Sequence, residues 1–202
     1  MAERIGVFGG TFDPPHLGHL ILASEAHLQL HLSRLLWVLS EAPPHKDGSA
    51  ISPVRDRLAM VQLAIQGDLA FELSTVDMDR PGPHYTADTL ALVREQNPGR
   101  EIYLVIGGDS LHDLPRWHRP EAILEACEGL GVMRRPGDAL DLALIESVLP
   151  GVAAKVHWIQ APLLDVSSHE IRVRAREHRA FGHYVPKTVH QYILDRELYQ
   201  AA

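Results

Sequence analysis

Short apolar runs that read as buried strands alternate with amphipathic helical segments along almost the whole chain, and that alternation limits the fold more than any other feature. RIGVF at 4–8 is an apolar run ending in Gly9-Gly10, as for a strand that must turn sharply. Leu17, Leu20, Ile21 and Leu28 then keep one helical face apolar, and LLWVLS at 35–40 reads as a second strand. Strand, loop, helix and strand over that length make one βαβ unit. Ser52 before Pro53 predicts an N-cap with proline at the first helical position, opening a helix on which Val54, Leu58, Val61 and Ile65 share a face. The pattern repeats with a strand at 71–75, a helix at 85–96 closed by Asn97-Pro98-Gly99, and a strand IYLVIGGD at 102–109. A helix at 120–127 and a strand at 129–135 follow. After a weakly patterned region at 136–150 come a strand, KVHWI, and helices at 167–178 and 186–195.

Such an order predicts an α/β fold, a doubly wound, mostly parallel sheet with helices on both faces and right-handed crossovers. Ligands of such sheets sit at the carboxyl ends of the strands, and Gly9-Gly10 and Gly107-Gly108 both fall on that edge. At 202 residues the chain suits one core, so we expect a single domain over 1–202, with a helical part from about 167 to 202 packed on it. No 18-residue apolar run is present to span a membrane. The N-terminal MAERIGVFGG lacks the features of a secretory signal, and the one cysteine, Cys127, fits a reducing compartment, so a cytoplasmic location is expected. The net charge of −7 weighs against a general nucleic-acid binder, so any phosphate chemistry must be local.

GVFGGTFDPPHLGHL at 6–20 is the place for it. The loop is neither the dinucleotide fingerprint nor a P-loop. A glycine pair after a strand nonetheless lets backbone N–H groups approach an anion, and the following helix turns its positive end to the same place. His16 and His19, three apart, are expected on one face of that helix's first turn. Histidines that merely cap or pack would give the same spacing. A zinc site is disfavoured, because HLGH lacks the HExxH pattern and a clear third ligand.

The segment GGTFDPPHLGH resembles the (T/H)xGH signature of Rossmann-like nucleotidyltransferases, and at full length that of bacterial nicotinate mononucleotide adenylyltransferases. APPHK at 42–46, HYTADTL at 84–90, IGGDSLHDLPRW at 106–117, VMRRPG at 132–137 and VSSHEIR at 166–172 are similar to further segments of that family, in order. The resemblance implies a Rossmann-like fold and a reaction in which ATP and nicotinate mononucleotide give deamido-NAD and pyrophosphate. It implies His16 and His19 as donors to the ATP phosphates, His19 to the α-phosphate, with Gly9, Gly10 and Thr11 supplying further donors. Arg172, on a helix opened by Ser167 and Ser168, would clamp the departing phosphates, and His45 and Lys46 would belong to a phosphate-binding loop. Trp117 would stack on the pyridine ring, backbone N–H groups at Thr86 and His118 would receive its carboxylate, and Asp109 would serve the ribose or the loop geometry. Asp13 is expected to fix the loop. His169 stands where the family usually has threonine.

The inventory suits this chemistry, because a mononucleotide phosphate is already anionic and needs positioning and charge neutralisation more than a strong base. Mg²⁺ is expected to arrive with ATP, held by phosphates and water, with no metal site of the protein's own. Two other readings stand beside this one. One is an adenylyltransferase preferring nicotinamide mononucleotide. The other is a non-catalytic nucleotide sensor, which would need a broken donor set, whereas His16, His19 and Arg172 are all present.

Overall fold

A computed structural model describes residues 2–40, 51–133, 140–162 and 164–200. Its elements run β1 (Arg4–Gly10), α1 (Leu17–Gln29), β2 (Arg34–Leu39), α2 (Val54–Ile65), β3 (Phe71–Ser74), α3 (Thr86–Gln96) and β4 (Glu101–Gly107). A short α4 (Gly108–Asp113) and a 3₁₀ turn, Leu114–Arg116, lead to α5 (Pro120–Ala126) and β5 (Gly129–Met133). Then come α6 (Leu142–Val148), α7 (Val152–Lys155), β6 (Val156–Ile159), α8 (Ser168–Arg176) and α9 (Lys187–Asp195).

The six strands form one sheet in the order β3-β2-β1-β4-β5-β6, and every pairing is parallel. Alternate residues of each strand serve opposite faces. Val7, Leu104, Ile106 and Val132 pack against Leu90 and Val93 of α3, Ile123 of α5 and Ile145 of α6. Phe8, Trp37, Leu39 and Val105 meet Leu22 and Ala26 of α1 and Val61 and Ile65 of α2 on the other face. Each such side chain contributes roughly 1.5–3 kcal/mol by leaving water. A third cluster joins Met60 of α2 to Ile171 of α8 and Val189 and Ile193 of α9, so the C-terminal helices pack on the α2 layer.

Three local expectations differ from what is found. Pro53, not Ser52, is the N-cap residue of α2, because the Ser52 main chain is engaged elsewhere: its N–H donates to Asp13 Oδ2 and its carbonyl accepts from Arg57. Gly108 and Asp109 do not prolong β4 but open α4. The weakly patterned stretch holds α6, whose N-cap Asp141 accepts from the N–H groups of Ala143 and Leu144, and α7 takes Lys155 out of the expected strand.

The chain leaves β1 toward β2 on one side and β4 toward β5 on the other. Those two connections diverge at the carboxyl edge of adjacent strands, which leaves a crevice there. Gly9-Gly10 and Gly107-Gly108 flank it.

Candidate active site

Two adjoining cavities open at this crevice and share Gly9, Ile106, Ser110 and Trp117 in their walls. The larger, about 310 Å³, adds Gly10, Thr11, Ser40, Asp77, His84 and Thr86. The smaller, about 190 Å³, adds His16, Gly18, His19, Gly107, Asp109 and Val166. Among the described residues, chain neighbours aside, no atom lies within 4 Å of where a Cβ on Gly9 would stand, which leaves its backbone at the joint of the two spaces open on that side.

His16 is the residue just before α1 and His19 the third within it, so they share the helix entrance rather than its first turn alone. Their rings stack at 3.7 Å between centroids. The His16 N–H donates to His19 Nδ1 at 3.1 Å. A nitrogen that accepts cannot carry the proton, so neutral His19 holds its hydrogen on Nε2. The His19 ring also meets Phe12 in a T-shaped contact, 5.1 Å between centroids. Phe12 is buried among Phe8 and Trp37, and its φ of 46° is one that a bulky residue adopts at a cost of about 1 kcal/mol. The imidazole is thus held by two rings and through one nitrogen before any ligand arrives.

The loop between β1 and α1 is held from three directions. Asp13 is 2% exposed; its carboxylate accepts from Ser52 N–H at 3.1 Å and from the Tyr199 hydroxyl at 2.7 Å. Burial first, and the Asp13 charge second, push the Tyr199 phenol far above its usual range, so it stays a donor. Arg172 Nη1 donates to the Asp13 carbonyl at 2.7 Å, and Ser168 Oγ to the Pro14 carbonyl at 2.8 Å. Arg57, 1% exposed, donates from Nε to the Ser52 carbonyl and from Nη1 to those of Thr11 and Ser40. Asp13 therefore does what the sequence suggested, while Arg57 and Tyr199 were not singled out there.

On the other side Trp117 lines both spaces, and Thr86 opens α3, a helix whose N-cap residue, Tyr85, makes no side-chain cap bond. The amides of Asp88 and Thr89 bond back to the Tyr85 carbonyl, whereas those of Thr86 and Ala87 precede the helical ladder and are suited to an anion. The exposed His118 ring stacks on Tyr85 at 4.0 Å, which ties the chain after Trp117 to the start of α3. Asp77 Oδ1 accepts from Thr89 Oγ1 at 2.7 Å and from Arg80 Nη2 at 2.9 Å. His84 and Thr89 lie in the HYTADTL segment that the sequence marked, yet neither side chain stood out in it.

Gly9, Gly10, Thr11, His16, His19, Thr86, Asp109 and Trp117 thus come together around the two spaces. Arg172, Ser167 and Ser168 do not line them among the described residues; Ser167 Oγ caps α8 by accepting from Glu170 N–H at 3.1 Å, and the other two hold the loop behind His16. His118 faces solvent rather than either space. His45 and Lys46 lie outside the described residues. No group of three or more His, Cys, Asp or Glu side chains among the described residues could hold a metal ion. A cavity of about 500 Å³ between α8 and α9, at Phe181 and His190, touches none of the motif residues.

The cytidylyltransferase-like family model matches residues 7–174. A Thermomicrobium roseum protein described as a probable nicotinate-nucleotide adenylyltransferase is 45% identical over 198 residues, covering 98% of this chain and 92% of its own. A protein of the same description from Roseiflexus castenholzii is 41% identical, covering 98% of each chain. Among solved structures, the Plasmodium falciparum nicotinic acid mononucleotide adenylyltransferase complexed with APC superposes with a TM-score of 0.77 at 22% identity, over 98% of this chain and 97% of that one. The same enzyme has been solved complexed with NaAD.

Proposed function

This chain belongs to the cytidylyltransferase-like family, and from that premise we propose that it transfers the adenylyl group of ATP to nicotinate mononucleotide, giving deamido-NAD and pyrophosphate in NAD biosynthesis. The observation that carries the reading is the pair of joined spaces at the β1/β4 crevice, one entered by a stacked histidine pair and the other walled by Trp117 and the uncapped start of α3. The names of the relatives at 45% and 41% identity support it. We take the whole of 1–202 as one nucleotidyltransferase domain working in the cytoplasm; among the described residues no helix is long and apolar enough to cross a membrane.

In this account ATP occupies the smaller space, with its phosphates at the entrance of α1 and reaching past Gly9 to Gly10 and Thr11 at the edge of the larger one. The mononucleotide phosphate attacks the α-phosphorus, the bond to the β-phosphate oxygen breaks, and pyrophosphate departs with the electron pair. Negative charge grows on the α-phosphate oxygens, and the preset His19 Nε2–H donates to one of them. His16 supports that ring and donates alongside it. The remaining N–H groups of Arg172, with the α8 entrance at Ser167 and Ser168, receive the charge of the leaving pyrophosphate, and His45 and Lys46 add to it from their loop. Trp117 stacks on the pyridine ring, the main chain at Thr86 and His118 receives its carboxylate, and Asp109 meets a ribose hydroxyl. Mg²⁺ would come with ATP and supply charge neutralisation on the phosphates, while the imidazoles of His16 and His19 and the loop amides would address the phosphate oxygens themselves.

Steady-state kinetics with ATP and each mononucleotide test this. A carboxylate accepts on both oxygens, whereas an amide offers one acceptor and an NH₂ that faces a donor. Two mismatches at roughly 1–3 kcal/mol each give a kcat/KM ratio on the order of 10²–10⁴ in favour of nicotinate mononucleotide. Equal efficiency for both mononucleotides would remove the carboxylate site from the account, and release of no pyrophosphate would remove the reaction.

A further inference from the structure

We infer that Tyr199 is a positioning residue for the adenylyl transfer proposed above, on which this rests: its hydroxyl, through the Asp13 carboxylate, sets the loop that carries His16 and His19. Asp13 stands three positions before His16 and six before His19, so a shift of its main chain moves the entrance of α1. A carboxylate at 2% exposure needs donors in place of water. Donors reach both oxygens, the Ser52 N–H at Oδ2 and the Tyr199 hydroxyl, 2.7 Å away, at Oδ1. An O–H bonded to an anion is about twice as strong as a neutral hydrogen bond. The hydroxyl also lies 3.8 Å from Met60 Sδ, but its one proton goes to the nearer, charged acceptor.

The chain is bent to deliver this hydroxyl. α9 ends at Asp195, and Glu197 and Tyr199 both take left-handed backbone, with φ of 50° and 68°, which side chains of this size rarely adopt. A chain end that nothing holds frays. This one turns back, packs Leu198 and Tyr199 against the cluster of Met60, Ile171 and Val189, and reaches Asp13 across 186 positions. Tyr192 donates to Asp56 Oδ1 at 2.9 Å, which already secures α9 to α2. Anchoring α9 therefore does not need Tyr199; what Tyr199 adds is a hold on the motif loop. Arg172 holds the carbonyl of the same residue 13, so the loop keeps its place without the hydroxyl but loses its exact orientation. The effect falls on kcat, because a small misplacement of a reacting group costs up to about 10²-fold, whereas Tyr199 lines neither of the two spaces.

The test is the steady-state kinetics of Tyr199→Phe, which keeps the ring and removes only the hydroxyl. At a temperature where circular dichroism shows the variant folded, kcat should fall about 10-fold, with the KM values for ATP and nicotinate mononucleotide within about threefold of wild type. Asp13→Asn offers one acceptor and an NH₂ that must face a donor, and should show the same loss confined to kcat. If Tyr199 acts through Asp13, adding Tyr199→Phe to Asp13→Asn lowers kcat less than about twofold further, whereas independent effects multiply. A folded Tyr199→Phe enzyme whose kcat stays within about threefold of wild type, or whose loss multiplies with that of Asp13→Asn, overturns the inference. If Tyr199→Phe does not fold, Asp13→Asn alone carries the test, and a kcat within about threefold of wild type overturns it equally. A wild type that releases no pyrophosphate from ATP and nicotinate mononucleotide would instead strike the proposed function itself.

Discussion

Replacing Arg57 by methionine should cost more stability than any change in the visible catalytic inventory. The guanidinium is 1% exposed and is shared among three carbonyls, Ser52 at 3.0 Å, Thr11 at 3.1 Å and Ser40 at 2.7 Å. They belong to the approach to α2, the loop after β1 and the end of β2, so one side chain ties together three segments around the larger space. Hydrogen bonds from a charged donor are worth roughly 1.5–3 kcal/mol each, but methionine regains the packing of the stem and some carbonyls can turn to water. A net loss of about 3–5 kcal/mol follows, as for other buried charged groups removed from their partners. For a chain of this size about 2–4 °C is lost per kcal/mol, so Tm should fall by roughly 6–20 °C. Lysine keeps the charge but not the fork, and should recover only part of that. Because Thr11 and Ser40 line the cavity, Arg57→Lys should also raise the KM for the mononucleotide at temperatures where it is folded. Thermal melts by circular dichroism, with urea titration to fix the free energy, make the measurement. An Arg57→Met melt within about 2 °C of wild type would refute the keystone role.

Trp117→Ala should weaken both mononucleotides by a similar factor of about 10, because stacking on the ring does not sense its substituent; a change confined to one of them would contradict that. Arg172→Ala should weaken ATP and pyrophosphate together in calorimetry while the fold survives, and lysine should rescue in part; unchanged affinities would leave Arg172 as a brace for the Asp13 carbonyl alone. The Cys127 thiol, 1% exposed, is pushed up to about 11 by burial and donates to the Ile123 carbonyl. It should resist thiol reagents in the native protein at pH 8 and react fully in urea. Since its folded pKa is the raised one, its contribution to stability is complete below about pH 9 and lost as pH rises toward 11, a limb that Cys127→Ala should flatten.

The sheet was legible because apolar runs and helical faces repeat with periods that the backbone imposes, and the loop motif because its residues are contiguous. Where the reading fell short, the missing information was tertiary. Arg55 and Arg57 flank Asp56 in one short RDR run, yet the first side chain is 77% exposed and Arg57 is buried; the helix phase that separates them depends on packing against strands far along the chain. Tyr199 closes on Asp13 across 186 positions, which no local pattern reports. Ser52 reads as a helix cap from its neighbours, but Asp13 and Arg57 claim its main chain. His84 sits inside a legible motif, but its enclosure beside Asp77 depends on how α3 is set against the sheet.

The most direct measurement is the kcat of His19→Ala with ATP and nicotinate mononucleotide both saturating. The ring is held by the His16 N–H, the His16 ring and Phe12, so its Nε2–H is oriented before the α-phosphate gains charge. Removal of one such preset donor costs roughly 3–4 kcal/mol, so kcat should fall by about 10²–10³ while the affinity for the mononucleotide changes little. A variant that keeps more than about a tenth of the wild-type kcat would contradict the account, because a loss below about 1.4 kcal/mol is too small for the donor on which the proposed reaction turns.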